Sequence, residues 1–385
     1  MSVLNSCSPT EVVTPGTAKP RLDAIEYMRG ISMLGVIGIH IGSQYLTNPT
    51  PNVHLVALFE ISTRFSVPIF FFISAFGLFY HLAPTAPFSY GDFLRRRART
   101  VLVPYLVWSV FYILHYTVLF RDPMLLNIRA IVKYLFFGFA SYQLYFLVIL
   151  LWFYLLMPLW IWLVRRMTRC RLFLLLIFQI IFNYWSSFIF NPYGITNPYL
   201  QALMVNRLNY WVLHYVFIFV LGGWLALHWE DFRRFLTMHW HGIIFFFVAS
   251  WAAITGYYYW LLSVRHYTPL GAINIAHQLC PAGVIYTLAA SLFFFALFTL
   301  RRYPARLNSI FSLLGRHSYF AYLVHPLFIT YLGLLFERTK LVMTAPRALL
   351  FYVLVAALAI LSAILVRRLG TRFTTVNLLT IGVKR

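Results

Sequence analysis

The chain has 385 residues, of which 61% are hydrophobic, 19% aromatic and only 10% charged. Soluble domains carry about 25% charged residues, so this composition, with a mean hydropathy of +0.77, excludes an ordinary soluble enzyme, a disordered chain and a disulfide scaffold. The formal net charge of +22 would point to nucleic acid in a soluble protein; here it reads as basic inner loops of a membrane protein, with membrane lipids and not nucleic acid as the partner.

The first 20 residues are polar and read as a tail rather than a cleavable leader. Cys7, Cys170 and Cys280 show neither disulfide nor metal spacing. A membrane-spanning helix needs about 20 mostly apolar residues. Ten stretches qualify, near 24–46, 53–81, 100–120, 142–164, 171–190, 211–229, 241–263, 279–300, 317–336 and 346–366. The fold class is therefore all-α, a polytopic helical bundle, with 21–370 as the membrane domain and 371–385 as a basic cytoplasmic tail. The stretch 128–140 is too short to span and reads as re-entrant or interfacial. Proline at 68, 104, 158, 281 and 326 is expected to kink or cap these helices by removing a backbone donor. With both termini inside, 21 of the 31 basic residues fall on the inner side and 8 on the outer, which sets the orientation.

Ionisable residues within these spans are costly and mark function by default. In the first span Arg29 and His40 are eleven positions apart, a separation close to three full turns and about 16–17 Å along the axis. Both project from one face, Arg29 near the inner boundary and His40 beyond the mid-plane. They read either as functional groups or as interhelical hydrogen-bond glue. Gly38 and Gly42 add a small-residue surface for a close neighbour. In the second span Glu60 and Arg64 form an i,i+4 pair able to neutralise each other, just before the irregularity expected at Pro68. In the ninth, His325 precedes Pro326; it reads either as a pocket residue or as the partner of the carbonyl that Pro326 frees. Arg95-Arg96-Arg97-Ala98-Arg99 reads as topology and anionic-lipid contact, or as a phosphate clamp built from arginine forks.

Together these pieces resemble the acyltransferase-3 family of integral membrane acyltransferases. Arg29 to His40 fits the family's Arg, ten residues, His spacing. Arg64 through Phe76 is similar to its second-helix signature, with Ala75 where glycine is usual. Phe93 through Tyr105 is similar to its arginine-rich segment, with Arg96 and Arg99 at the Arg-x-x-Arg spacing. Gln143-Leu144-Tyr145-Phe146-Leu147 resembles a block that more often begins His-Leu-Trp, and Gly315 through Pro326 resembles a late helix motif. The resemblance implies transfer of an acyl group, commonly acetyl, from cytoplasmic acyl-CoA to a hydroxyl of a carbohydrate or lipid-linked glycan, in a bacterial cytoplasmic membrane.

On that reading His40 deprotonates the acceptor hydroxyl or briefly carries the acyl group. Arg29, Arg96 and Arg99 hold the phosphates of CoA, and a tunnel between Arg29 and His40 carries the pantetheine arm. Glu60 orients the imidazole and Arg64 stabilises the oxyanion; Ser74, Tyr145 and His325 are further pocket candidates. No metal and no permanently bound cofactor is expected; His239 and His241 read as an interfacial feature. The competing reading is an exporter or flippase of a lipid-linked glycan, which would carry internal repeats that this sequence does not display.

Overall fold

The computed structural model describes residues 20–45, 52–82 and 88–383. The expected N-terminal tail through residue 19, Cys7 and the first outer turn near Thr47–Pro51 lie outside the described residues.

In chain order the helices are α1 (Asp23–Tyr45), α2 (Val53–Thr63), α3 (Ser66–Tyr80), α4 (Tyr90–Arg97), α5 (Val103–Phe120), α6 (Ile128–Phe137), α7 (Tyr145–Leu155), α8 (Met157–Arg165) and α9 (Arg169–Tyr184), then α10 (Pro198–Val205), α11 (Val216–Leu227), α12 (Trp229–Met238), α13 (Trp240–Ser263), α14 (Pro269–Ile275), α15 (Pro281–Leu300), α16 (Ala305–Arg338), α17 (Ala345–Arg372) and α18 (Thr374–Ile381). No strand occurs among the described residues. Eight helices or near-continuous pairs are long and apolar enough to cross a membrane, and two bent pairs bring the number to ten. The protein is an integral membrane helical bundle.

The prolines act where their missing N–H predicts. Pro158 opens α8, which is turned 68° from α7. Pro281 opens α15, where the Cys280 side chain accepts from the Gly283 amide at 3.3 Å. Pro104 cannot donate to the carbonyl of Thr100, and the chain widens there into a π-type turn over Ala98–Leu102. Pro326 instead sits inside the 34-residue α16, whose freed carbonyl is taken up by a side chain described below. The stretch 128–140 forms the ten-residue α6, closed by Gly138 at φ +74° and too short to span.

The segment expected as a basic tail beyond residue 370 contains a short helix. Helix α17 runs on to Arg372, and α18 folds back onto α5. Asn377 is buried over Gly370, Trp108 Nε1 donates to the Thr380 carbonyl at 3.2 Å, and Gly382 at φ +71° closes against the backbone of Arg99 and Thr100.

Helix α1 lies at the centre, packed on α2, α3, α15, α16 and α17. Two close approaches set its neighbours. A Cβ on Gly42 would stand 2.7 Å from Glu60 Cβ of α2, and one on Gly315 of α16 would run into the carbonyl oxygen of Glu26. Gly315→Ala therefore forces α1 from α16 and is expected to cost about 1–3 kcal/mol, read as a lowered melting temperature of the purified protein. Gly256→Ala in α13, where nothing lies within 4 Å, is the matched control and should leave the melting temperature unchanged or slightly raised.

Candidate active site

Four segments assigned by charge counting to the inner side meet in one cavity of about 580 Å³. Arg21 comes from the lead-in to α1, Arg29 from α1, Arg97 from α4, Arg316 from α16 and Arg367 from α17; Glu26 is the one carboxylate on its wall. Glu26 is paired with Arg21, so among the described residues four guanidiniums face this space without a carboxylate of their own. Arg29 leaves α1 one and a half turns from its start and exposes its side chain to the cavity. Arg97 lies over the Phe93 and Tyr154 rings, at 5.3 and 5.0 Å, which fixes its direction inward. A side lobe of about 220 Å³ shares Arg29, Ser74 and Arg97 and reaches Gly77 and His81. Crowding like charges against low-dielectric walls is costly unless an anion joins them.

An aromatic floor of Phe70 of α3, Phe146 of α7 and Tyr322 of α16 forms part of the cavity wall. These rings touch pairwise, with centroids 5.5, 5.7 and 6.1 Å apart. Beyond this aromatic floor lies a pair of imidazoles. His40 of α1 stacks on His325 of α16 at 5.4 Å, and the Tyr142 ring lies 4.3 Å from His40. His325 Nδ1 is 2.7 Å from the carbonyl oxygen of Tyr322, the acceptor that Pro326 leaves without its helical donor. A carbonyl only accepts, so Nδ1 carries the proton in the neutral ring. Its Nε2 is then a bare lone pair, buried and unpartnered. Tyr112 donates to the Leu323 carbonyl at 2.7 Å, Gln143 Nε2 does so at 3.3 Å, and Tyr322 donates to the Gln143 carbonyl. Together they pin the turn of α16 that carries His325.

A family model for an acyltransferase domain, acyltransferase 3, matches residues 22–368, nearly the whole membrane domain. The chain belongs to the acyltransferase-3 family. No curated protein and no solved structure matches it significantly. Family membership makes the protein an acyltransferase and decides against the exporter reading.

Within this acyltransferase the site residues expected from sequence fall in separate places. Arg29 and Ser74 line the inner cavity. His40 and His325 meet outside the lining of that cavity, with the Tyr322 ring of its wall 6.0 Å from the ring of His325. Glu60 and Arg64 pair with each other, and Glu60 also accepts from Ser43 at 2.9 Å. Arg64 reaches Gln278 Oε1 at 3.4 Å. No hydrogen bond joins Glu60 to His40 among the described residues, which removes the observation needed for Glu60 as the group orienting that imidazole. Tyr145 opens α7 outside the cavity lining.

The arginine run is divided by the helix. Arg96 and Arg99 are exposed and absent from the cavity wall, whereas Arg97 between them faces in. The reason is angular: neighbouring residues on a helix point about 100° apart, and the aromatic pair Phe93 and Tyr154 selects Arg97. Arg316, Arg367 and Tyr142 also escaped the sequence reading. Arg316 sits inside the late motif Gly315 through Pro326, a signal that was available; nothing local distinguishes Arg367 or Tyr142.

Proposed function

We propose that the protein transfers an acyl group, most simply acetyl, from acyl-CoA to a hydroxyl of a glycan or lipid-linked sugar, across the bacterial cytoplasmic membrane. The observation that carries the reading is the five-arginine cavity, whose wall residue Tyr322 lies against His325 of the His40–His325 pair. Guanidinium forks suit phosphate oxygens, and CoA is a polyphosphate with a long thin arm. Arg29, Arg97, Arg316 and Arg367 hold the phosphates, and the pantetheine arm passes between Phe70, Phe146 and Tyr322 toward His40.

There the acceptor oxygen attacks the thioester carbonyl as His40 takes its proton. The tetrahedral intermediate then collapses, the C–S bond breaks, and the CoA thiolate leaves and is protonated. An acyl-imidazole at His40 is the two-step variant of the same exchange. Arg64, whose Nε is buried and has no hydrogen-bond partner among the described residues, is the assigned candidate for balancing the oxyanion. His325, with its Nε2 lone pair beside His40, is a second base in position to accept or relay the proton.

Incubating the purified protein with acyl-labelled CoA, and following free CoA and labelled acceptor, tests the reading. Comparing surface glycans and lipids by mass spectrometry, with and without the gene, gives the added mass and the acceptor together. Unchanged glycans and no CoA release would refute it.

The aromatic floor makes its own prediction. Phe146→Leu keeps an apolar side chain but removes a ring from the layer. Water then reaches the thioester more easily, so acceptor-independent CoA release should rise several-fold while product per CoA consumed falls. Hydrolysis equal to wild type would show that the rings do not separate the two spaces.

A further inference from the structure

A second cavity, of about 740 Å³, lies in the elbow between α11 and α12 and shares no residue with the arginine cavity. Helix α11 ends at Leu227, and α12 leaves it at 100°. A helix perpendicular to a spanning one lies along the membrane surface, and the α12 sequence WEDFRRFLTM is amphipathic as such helices are. It buries Phe232 and Leu236 against the bundle and leaves Phe235 and Met238 exposed.

The wall below the elbow is hydrocarbon: Leu221 and Leu225 of α11, and Leu288 and Leu292 of α15. Its rim is charged. Arg169 and Arg234 stand there with Asp231, and neither arginine has an ion pair among the described residues. The rim thus carries one net positive charge above an apolar slot, at the end of the bundle that basic loops assign to the cytoplasm. His228 and His239 also border it, each with Nδ1 tied to a backbone carbonyl, at 2.9 and 3.1 Å.

We infer that this elbow binds one inner-leaflet phospholipid with an anionic headgroup, its phosphate between Arg169 and Arg234 and its acyl chains along the leucine wall. One net charge suits a phosphodiester whose headgroup adds no cation. A zwitterionic lipid would bring its ammonium against the same guanidiniums. Acyl-CoA, with several negative charges, is matched by the arginine cavity and not by this rim. Arginine near an anionic surface gives about a fivefold gain per residue, so two, offset in part by Asp231 on the same rim, should give a preference of about tenfold.

Native mass spectrometry of the full-length protein in nonionic detergent, titrated with phosphatidylglycerol or phosphatidylcholine of the same chains, reads this directly. One phosphatidylglycerol should be retained about tenfold more tightly than phosphatidylcholine. Arg169→Gln with Arg234→Gln should abolish the preference. Leu292→Trp, which fills the slot and leaves the charges alone, should weaken retention of both lipids. Arg302→Gln, basic and on the same side but outside the cavity, should change nothing. Equal retention of the two lipids, a preference that survives the double substitution, or displacement of the lipid by inorganic phosphate or acetyl-CoA would overturn the assignment. Should the double variant fail to fold, as judged by its melting temperature and elution volume, Leu292→Trp decides alone: unaltered retention of phosphatidylglycerol refutes the site.

Discussion

His40→Ala should lower acyl transfer by about 10²–10⁴-fold, the range that a positioned general base contributes, with expression, membrane insertion and melting temperature close to wild type. The side chain is half-buried, and no hydrogen bond to it occurs among the described residues, so its removal frees no buried partner and the structural cost stays small. The neighbouring imidazole sharpens the test. His325→Ala leaves the Tyr322 carbonyl without its donor and removes the lone pair beside His40, so it should lower both transfer and melting temperature. His40→Ala should lower transfer alone. Intact mass after a brief exposure to acyl-CoA separates the two chemical routes: an acyl mass increment lost in His40→Ala means a covalent acyl-imidazole, and no increment in an active wild type means direct transfer. Near-normal turnover of His40→Ala would refute the assignment of this histidine.

The second large effect is expected at Arg29. Arg29→Gln removes a guanidinium that faces the inner cavity without a carboxylate partner among the described residues. A charge-assisted hydrogen bond contributes about 1.5–3 kcal/mol, so affinity for acyl-CoA should fall roughly tenfold to a hundredfold. The loss should appear in KM for acyl-CoA more than in kcat, because the phosphates lie remote from the reacting carbonyl. Arg29→Lys keeps the charge but not the fork and should recover only part of the affinity. Arg97→Gln should act in the same direction, whereas Arg96→Gln and Arg99→Gln, whose side chains face outward, should leave KM within about twofold, as surface substitutions do. Equal losses at Arg96 and Arg97 would show that the clamp does not follow the cavity wall. Unaltered KM in Arg29→Gln would remove Arg29 from CoA binding altogether.

Much of this was readable in the chain itself. Arg29 and His40 were marked by the expense of ionisable groups in a hydrophobic span, and their shared face followed from 3.6 residues per turn. Ten spans followed from hydropathy and match eight long helices and two bent pairs; the 68° bend was signalled by Pro158. The 100° bend after Leu227 carries no proline, and the sequence reading ran one span across it to 229. The arginine run was visible as a cluster, but which of its members faces inward was not. That choice depends on Phe93 and on Tyr154, some sixty residues away. The docking of α18 was likewise not legible: Gly370 lies just ahead of it in the chain, but the Trp108 donor to the Thr380 carbonyl comes from α5.

The sequence by itself determined that this is a membrane-embedded helical acyltransferase, with a guanidinium and an imidazole three turns apart on its first helix, because composition, periodicity and motif spacing are properties of consecutive residues. Only the tertiary structure decided that Arg97, Arg316 and Arg367 join Arg29, that Phe70, Phe146 and Tyr322 gather on the wall of the same cavity, and that His325 presents a bare nitrogen beside His40. Each of these depends on groups from separate helices meeting through side-chain packing, and packing between distant segments leaves no periodic trace in a single chain.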